Sequence, residues 1–134
     1  MRRSRDAKIA ALSACAVLPA LGPGRVNSLA RVAEVIDAPA GAVLQEVGEP
    51  FASWWVVLEG VVVIDHDGVS ALVAAGGGWG ADTALRREPT DGRAVAVSPV
   101  RCLVVARHHV ENLLNDIPEL AVGLLRDPRL GALA

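Results

Sequence analysis

The segment "GGGWGADTALRREPTDGRAVAV", residues 76–97, combines residue types that can bind a phosphate group. Gly80 lets the backbone come close to a ligand, because glycine has no side chain. The following "ADTALRR" can form one helical turn with free backbone N–H groups, and Arg93 can supply a two-pronged cation. The same residues would also suit a corner between two strands, with Arg93 paired to Asp82 or Asp91. The segment alone leaves both interpretations open.

The histidines and nucleophiles of the chain do not form a catalytic pattern. A metal-binding cupin needs several histidines and a carboxylate on neighbouring strands. His66 falls in a predicted turn, and the adjacent His108 and His109 open a predicted helix, where neighbours point about 100° apart. No serine lies in a Gly-x-Ser-x-Gly motif, and Cys102 has no base near it in the sequence. We therefore expect neither an enzyme nor a metal site. A cupin-like metalloprotein ranks third among the functions that this chain could have.

The composition is that of a folded domain without a strong overall charge. The chain has 134 residues, 52% of them hydrophobic, which is enough for one domain with one core. The net charge is −2, so neither nucleic acid nor a membrane surface is an expected partner. Cys15 and Cys102 lie far apart in apolar surroundings, which favours buried, reduced thiols. A single disulfide between them is the alternative.

The first residues, "MRRSRDAKIAALSACAVLPALG", have a basic start and a short apolar stretch. This is the outline of a secretory signal. Asp6 and Lys8 interrupt it, however, and the apolar stretch is too short to span a bilayer. Interpreted as a helix, the segment places Ile9, Leu12 and Val17 along one face, as a cytoplasmic domain also requires. We expect a cytoplasmic protein.

The middle of the chain has the pattern of short strands separated by turn signals such as "APAG", "VGEP" and "DHDG". "DHDG" lies between two valine-rich runs and predicts a hairpin. Many short strands with regular turns favour a mainly β fold with flanking helices, a β jelly-roll barrel, and no βαβ series is present. The predicted strands are Val35–Asp37, Ala42–Gln45, Ser53–Leu58, Val61–Asp65, Ser70–Ala74, Arg93–Val97 and Val100–Ala106.

Helical patterns flank these strands. A short helix is predicted from Arg25, and another contains Val110, Leu113 and Ile117 at helical spacing. A last helix is predicted to begin at Pro118. We therefore expect a single domain, with N-terminal helices in residues 1–34, the β region in 35–106 and C-terminal helices in 107–127.

Trp54 and Trp55 are neighbours in a predicted strand, so their side chains point to opposite faces. Burial on both faces is the simpler arrangement. In the alternative, one tryptophan is exposed and forms a contact surface together with an apolar helix at residues 117–126. A protein-interaction or dimerisation scaffold of the same fold would use that surface.

The order of elements resembles the cyclic-nucleotide-binding domain of the catabolite-activator and protein-kinase-A regulatory family. "APAGAVLQEVGEP" is similar to the family's Gly-x-x-Leu-x-x-x-Gly-Glu segment, through Gly41, Leu44, Gly48 and Glu49. "WWVVLEGVVVI" is similar to its aromatic-x-x-Leu-x-Gly-x-Val segment, and "NDIPEL" to the junction in the helices after the barrel. The resemblance covers nearly the whole chain and implies a non-enzymatic regulatory domain of signal transduction.

The family's phosphate-binding cassette reads Phe-Gly-Glu-Leu/Ile-Ala-Leu, followed a few residues later by Pro-Arg-Ala/Thr-Ala. Here Trp79 replaces the phenylalanine, and Ala81 stands where the family's glutamate binds the ribose 2′-hydroxyl. Asp82 stands at a position that is usually apolar. The resemblance implies a site for a cyclic nucleotide, cAMP or cGMP, formed by Gly80, Ala81, Asp82, Thr83, Arg93 and Ala94.

The departures from the cassette predict weak or absent cAMP binding, because Ala81 cannot accept the ribose hydroxyl's hydrogen bond. Asp82 would either take over the ribose or pair with Arg93 and neutralise the pocket. The chain ends at Ala134, so we expect neither the long helix that covers the base in this family nor a DNA-reading helix-turn-helix. The expected ligand is a cyclic nucleotide or another small anion, and a protein partner or homodimer is the alternative.

Overall fold

The computed structural model of the chain describes residues 23–116. The predicted helices before residue 23 and after residue 116, and Cys15, lie outside these residues. The helices are α1 (Pro23–Val32), α2 (Ala81–Leu85) and α3 (Arg107–Asp116). The strands are β1 (Glu34–Ala38), β2 (Val43–Gln45), β3 (Trp54–Glu59), β4 (Val61–His66), β5 (Val69–Ala74), β6 (Gly78–Trp79), β7 (Arg93–Ala96) and β8 (Val100–Val105).

The strands form two antiparallel sheets of four strands each. The first sheet has the order β1-β8-β3-β6, and the second has the order β2-β7-β4-β5. The predicted mainly β fold with flanking helices is confirmed. Within residues 23–116 no ladder joins the two sheets, so the jelly roll is an open sandwich and not the closed barrel that the sequence predicted.

Two apolar clusters hold these layers together. The inter-sheet cluster lies between the sheets and includes Val57 and Ile64. The helix-side cluster lies on the other face of the first sheet and includes Leu103 of β8 and Leu29 of α1. Strand β3 contributes to both clusters, because its alternate side chains point to opposite faces.

Trp54 and Trp55 occupy opposite faces of β3, as predicted, and both are buried. Trp54 lies in the helix-side cluster with 1% of its surface exposed, and Trp55 lies in the inter-sheet cluster with 8% exposed. The ring of Trp55 stacks on Trp79, with centroids 5.2 Å apart and planes 7° from parallel. The alternative of an exposed tryptophan as a contact surface is therefore wrong.

The predicted hairpin at "DHDG" is present, whereas strand β6 was not predicted. The "DHDG" hairpin joins β4 to β5, with Asp67 at φ 49° and Gly68 at φ 78°, as a type I′ turn requires. Strand β6 lies inside the glycine-rich segment and pairs with β3 through Trp55 and Val56. A Cβ at Gly78 would lie 2.2 Å from the carbonyl oxygen of Trp55, so this position accepts only glycine.

Cys102 is a free thiol in the inter-sheet cluster. Burial raises the pKa of this thiol to about 11, and the nearby charge of Asp37 adds to the effect. At neutral pH the group is therefore the unreactive thiol. None of the helices in residues 23–116 is long and apolar enough to cross a membrane.

Candidate functional site

Helix α2 starts where the chain turns sharply at Gly80. Gly80 has φ 91°, in the left-handed region, and a Cβ there would lie 2.2 Å from the carbonyl oxygen of Ser53. Both conditions require glycine at this position. The Gly80 carbonyl accepts the first helical hydrogen bond from Ala84 at 2.9 Å, and no side chain caps the helix. The segment therefore passes close to the start of β3.

Three of the five side chains of α2 are buried, those of Ala81, Thr83 and Ala84. Ala81 and Ala84 pack in the helix-side cluster, with 1% and 0% of their surfaces exposed. Thr83 is also buried, and its hydroxyl has no hydrogen-bond partner among the residues that the structure describes. The position at which the family carries its ribose-binding glutamate is thus occupied by a small side chain that faces the apolar cluster.

Asp82 is exposed and forms an ion pair within its own helix. Its carboxylate lies 3.1 Å from the guanidinium of Arg86, four residues later. It neither caps α2 nor pairs with Arg93, so the pairing of Asp82 with Arg93 that the sequence suggested is wrong. Both side chains are about half exposed, so this pair contributes little to stability.

Arg93, at the start of β7, pairs with a carboxylate from another part of the sequence. Its Nε donates to Oε1 of Glu46 at 3.0 Å. Asp91, the other partner suggested by the sequence, instead contacts His66. The side chain of Arg93 is 47% exposed and that of Glu46 is 57% exposed, so the pair is open to solvent. The next residue, Ala94, is fully buried in the inter-sheet cluster.

Glu46 is held in place by its neighbours in the loop after β2. Its N–H donates to Oε2 of Glu49 at 2.5 Å, and its carbonyl accepts a hydrogen bond from the Thr90 hydroxyl at 2.6 Å. Thr90 makes three further hydrogen bonds to this loop: its hydroxyl accepts from the N–H of Glu49, its N–H donates to the Glu49 carbonyl, and its carbonyl accepts from Gly48. The loop that carries Glu46 is thereby attached to the segment that carries Arg93.

Gln45 joins the two ends of the candidate segment. The indole N–H of Trp79 donates to the side-chain oxygen of Gln45 at 3.3 Å, and the Gln45 amide donates to the Gly92 carbonyl at 2.7 Å. Trp79 immediately precedes Gly80, and Gly92 immediately precedes Arg93. Gln45 is 3% exposed, so the bridge is in the protein interior, where such hydrogen bonds are costly to lose.

The turn after α2 is attached to α3. Arg87 has φ 57° and donates two hydrogen bonds to the carboxylate of Glu111, at 3.1 and 3.2 Å. This bidentate pair raises the pKa of Arg87 and lowers the pKa of Glu111. The segment between α2 and β7, residues 86–92, is therefore attached to α3 through Arg87 and to the loop after β2 through Thr90.

His66 lies beside the same loop. Its Nδ1–H donates to the Asp91 carbonyl at 2.8 Å, and Nε2 lies 3.4 Å from the carboxylate of Asp67. The hydrogen bond to the Asp91 carbonyl is the largest cause of a raised His66 pKa; desolvation opposes it, and the charges of Asp91 and Asp67 add to the rise. Within residues 23–116, no group of three or more His, Cys, Asp or Glu side chains could hold a metal ion.

Gln45, Glu46 and Thr90 are residues that the sequence did not single out. Each acts through contacts with residues more than forty positions away. The one available signal was their place in or next to "APAGAVLQEVGEP" and "RREPTDGRAVAV", which the family resemblance had already marked.

The sequence and the fold of this chain are similar to those of known proteins. Residues 35–116 match the family model of the cyclic nucleotide-binding domain. No curated protein sequence matches the chain.

Three solved structures illustrate the likeness. A cAMP-binding acyltransferase from Mycobacterium smegmatis is 24% identical, with TM-score 0.74, over 94% of this chain and 40% of that one. The regulatory domain of Toxoplasma gondii PKA, solved with cAMP, is 17% identical, with TM-score 0.76, over 90% and 49%. The regulatory subunit of a cAMP-independent protein kinase A from Trypanosoma brucei is 22% identical, with TM-score 0.77, over 96% and 50%. At these identities the likeness shows the fold, and this chain spans half or less of each of the three.

Proposed function

The chain belongs to the cyclic nucleotide-binding domain family, and we propose that it is a non-enzymatic regulatory module that binds a cyclic nucleotide weakly. The observation that carries the proposal is the preserved glycine and arginine of the cassette, joined through one buried side chain. Gly80 keeps the left-handed backbone, and Arg93 begins the strand after the loop. Gln45 bridges the residues that precede them.

The proposed anion site consists of Gly80, the backbone of residues 81–83, Arg93 and Ala94. The start of α2 has no side-chain cap, so within residues 23–116 no carboxylate takes its N–H groups. Asp82 is turned to Arg86, which supports the same conclusion. The contact of Arg93 with Glu46 uses Nε, and the two Nη groups lie outside that contact. A cyclic phosphate can accept hydrogen bonds from those groups.

Weak affinity is proposed because the ribose hydroxyl has no carboxylate partner at Ala81. Ala81 is buried among apolar side chains and carries no acceptor. A lost hydrogen bond to a polar ligand group costs about 1–3 kcal/mol, which corresponds to roughly a tenfold to hundredfold loss of affinity. The likeness to a regulatory subunit described as cAMP-independent is consistent with such a loss.

A thermal-shift screen tests this proposal with the whole chain. A ligand that binds the folded state raises the melting temperature by mass action. We expect cAMP or cGMP at high concentration to raise it slightly, and neutral adenosine to raise it less, since adenosine lacks the phosphate that Arg93 would bind. An equal effect of adenosine and the cyclic nucleotides would remove the phosphate site from the proposal.

A dimerisation scaffold is not supported at the tryptophan surface that the sequence suggested, because Trp54 and Trp55 are both buried. Its second element, the apolar helix at residues 117–126, lies outside the described residues. Cytoplasmic location stays a prediction from the sequence.

A further inference from the structure

Glu46 places a carboxylate directly on the arginine of the proposed anion site. We infer that Glu46 tunes the ligand charge that this site accepts, because it disfavours a doubly charged phosphate monoester more strongly than a singly charged cyclic phosphodiester. The inference rests on the proposed function, since it concerns a ligand bound to Arg93. It adds a specificity-determining residue from outside the cassette.

The position of Glu46 is fixed by more than its ion pair. Its N–H and its carbonyl are each hydrogen-bonded, to Glu49 and Thr90. Thr90 is buried, and it connects this loop to the cassette segment. Because the backbone of Glu46 is held at two points, little further conformational entropy is lost when its carboxylate pairs with Arg93. It therefore remains beside the guanidinium when a ligand arrives at the Nη groups.

Carboxylates already counter the charge of Arg93 when no ligand is bound. Arg93 carries one positive charge and Glu46 one negative charge, at 3.0 Å. Asp65 is the cross-strand neighbour of Arg93, and its carboxylate accepts a hydrogen bond from Ser70. A phosphate bound at Arg93 is thus attracted by the guanidinium and repelled by the neighbouring carboxylates. The repulsion by Glu46 is proportional to the ligand's charge, so it acts on a dianion twice as strongly as on a monoanion.

Glu46→Gln tests the inference, because glutamine keeps the size and removes the charge. Cyclic AMP carries one negative charge, whereas 5′-AMP carries nearly two above its second pKa of about 6. At low ionic strength, removal of one exposed like charge should strengthen cAMP binding about threefold. The same change should strengthen 5′-AMP binding about ninefold, which is the square of that factor. Added salt should reduce both effects.

The measurement is a pair of NMR titrations, of cAMP and of 5′-AMP, into the wild type and the variant. Glu59→Gln is the matched control, since Glu59 is an exposed glutamate that faces Arg101 and not Arg93. It should change neither affinity measurably. If Glu46→Gln changes both affinities by the same factor, Glu46 acts structurally and the inference is wrong while the proposed function stands. If neither protein binds either nucleotide, the proposed function and the inference are both overturned.

Discussion

The indole of Trp79 donates its N–H to the side chain of Gln45 at 3.3 Å, deep in the protein. Through the other end of its amide, Gln45 holds the Gly92 carbonyl at 2.7 Å. One neutral side chain therefore links the residue before the cassette glycine to the residue before the cassette arginine. This link helps to fix the position of Gly80 relative to Arg93 in the proposed site.

We predict that Trp79→Phe destabilises the protein more than Trp54→Phe. Both tryptophans are almost fully buried, but within residues 23–116 the Trp54 indole N–H has no hydrogen-bond partner. Trp79→Phe leaves the Gln45 oxygen unpaired, which should cost about 1–3 kcal/mol beyond the lost volume. Trp54→Phe loses similar volume and removes an unpaired donor. Urea unfolding measures both, and equal losses would mean that the Gln45 bridge contributes nothing.

Gly80→Ala should be much more destabilising than Gly68→Ala. Both glycines have positive φ, at 91° and 78°, so both variants are strained by about 1 kcal/mol. Only Gly80 would also place its Cβ 2.2 Å from the backbone oxygen of Ser53, whereas a Cβ at Gly68 meets nothing within 4 Å. We expect a difference of at least about 2 kcal/mol in the free energy of unfolding. Similar losses at the two positions would refute the close approach of α2 to β3.

Thr83→Val should stabilise the protein by about 1 kcal/mol, because the buried Thr83 hydroxyl has no partner. Thr90→Val is the matched control. The Thr90 hydroxyl is also buried, but it donates to Glu46 and accepts from Glu49, so its loss should cost about 1–3 kcal/mol. Chemical unfolding of both variants gives the comparison. A loss of stability in Thr83→Val would mean that its hydroxyl has a partner.

His66 should make stability fall as pH rises through neutrality. Its pKa is raised in the folded protein above the ordinary 6.5, chiefly by the hydrogen bond to Asp91. The folded state therefore binds the proton more tightly, and the extra stability is complete below about pH 6.5 and is lost as pH rises through the raised pKa. The group is partly exposed, so the effect should stay below about 1 kcal/mol.

The variant His66→Gln isolates this contribution. We expect the wild type's advantage in unfolding free energy over His66→Gln to shrink between about pH 5.5 and about pH 8.5. An advantage that is constant or grows with pH would contradict the assigned contact between His66 and the Asp91 carbonyl.

The strands of the β region could be predicted from the sequence because they are short apolar runs separated by turns that contain glycine, proline or aspartate. The valine-rich runs around Asp67 and Gly68 are the clearest case. Strand β6 was missed because Gly78 has no side chain to show a pattern. Its place in the sheet depends on Trp55, which lies far away in the sequence.

The candidate site was only partly predictable. Gly80 and Arg93 were identified from residue types in one short segment and from the family's cassette, and both signals are local in the sequence. The partner of Arg93 was not, because Glu46 is 47 residues away and no local pattern in its segment indicates a contact with Arg93. The sequence suggested Asp82 and Asp91 as partners of Arg93 because both are close to it in the chain. In the structure Asp82 pairs with Arg86, and Asp91 contacts His66.

Calorimetric titration of cAMP into the wild type and Arg93→Ala is the most direct test of the proposed function. We predict weak binding to the wild type, with a dissociation constant in the micromolar range or higher, and an affinity about tenfold to a hundredfold lower again in Arg93→Ala. Arg101→Ala is the control, since Arg101 has similar exposure and pairs with Asp37 away from the cassette. Submicromolar affinity in the wild type, or unchanged affinity in Arg93→Ala, would contradict a degenerate phosphate site built on this arginine.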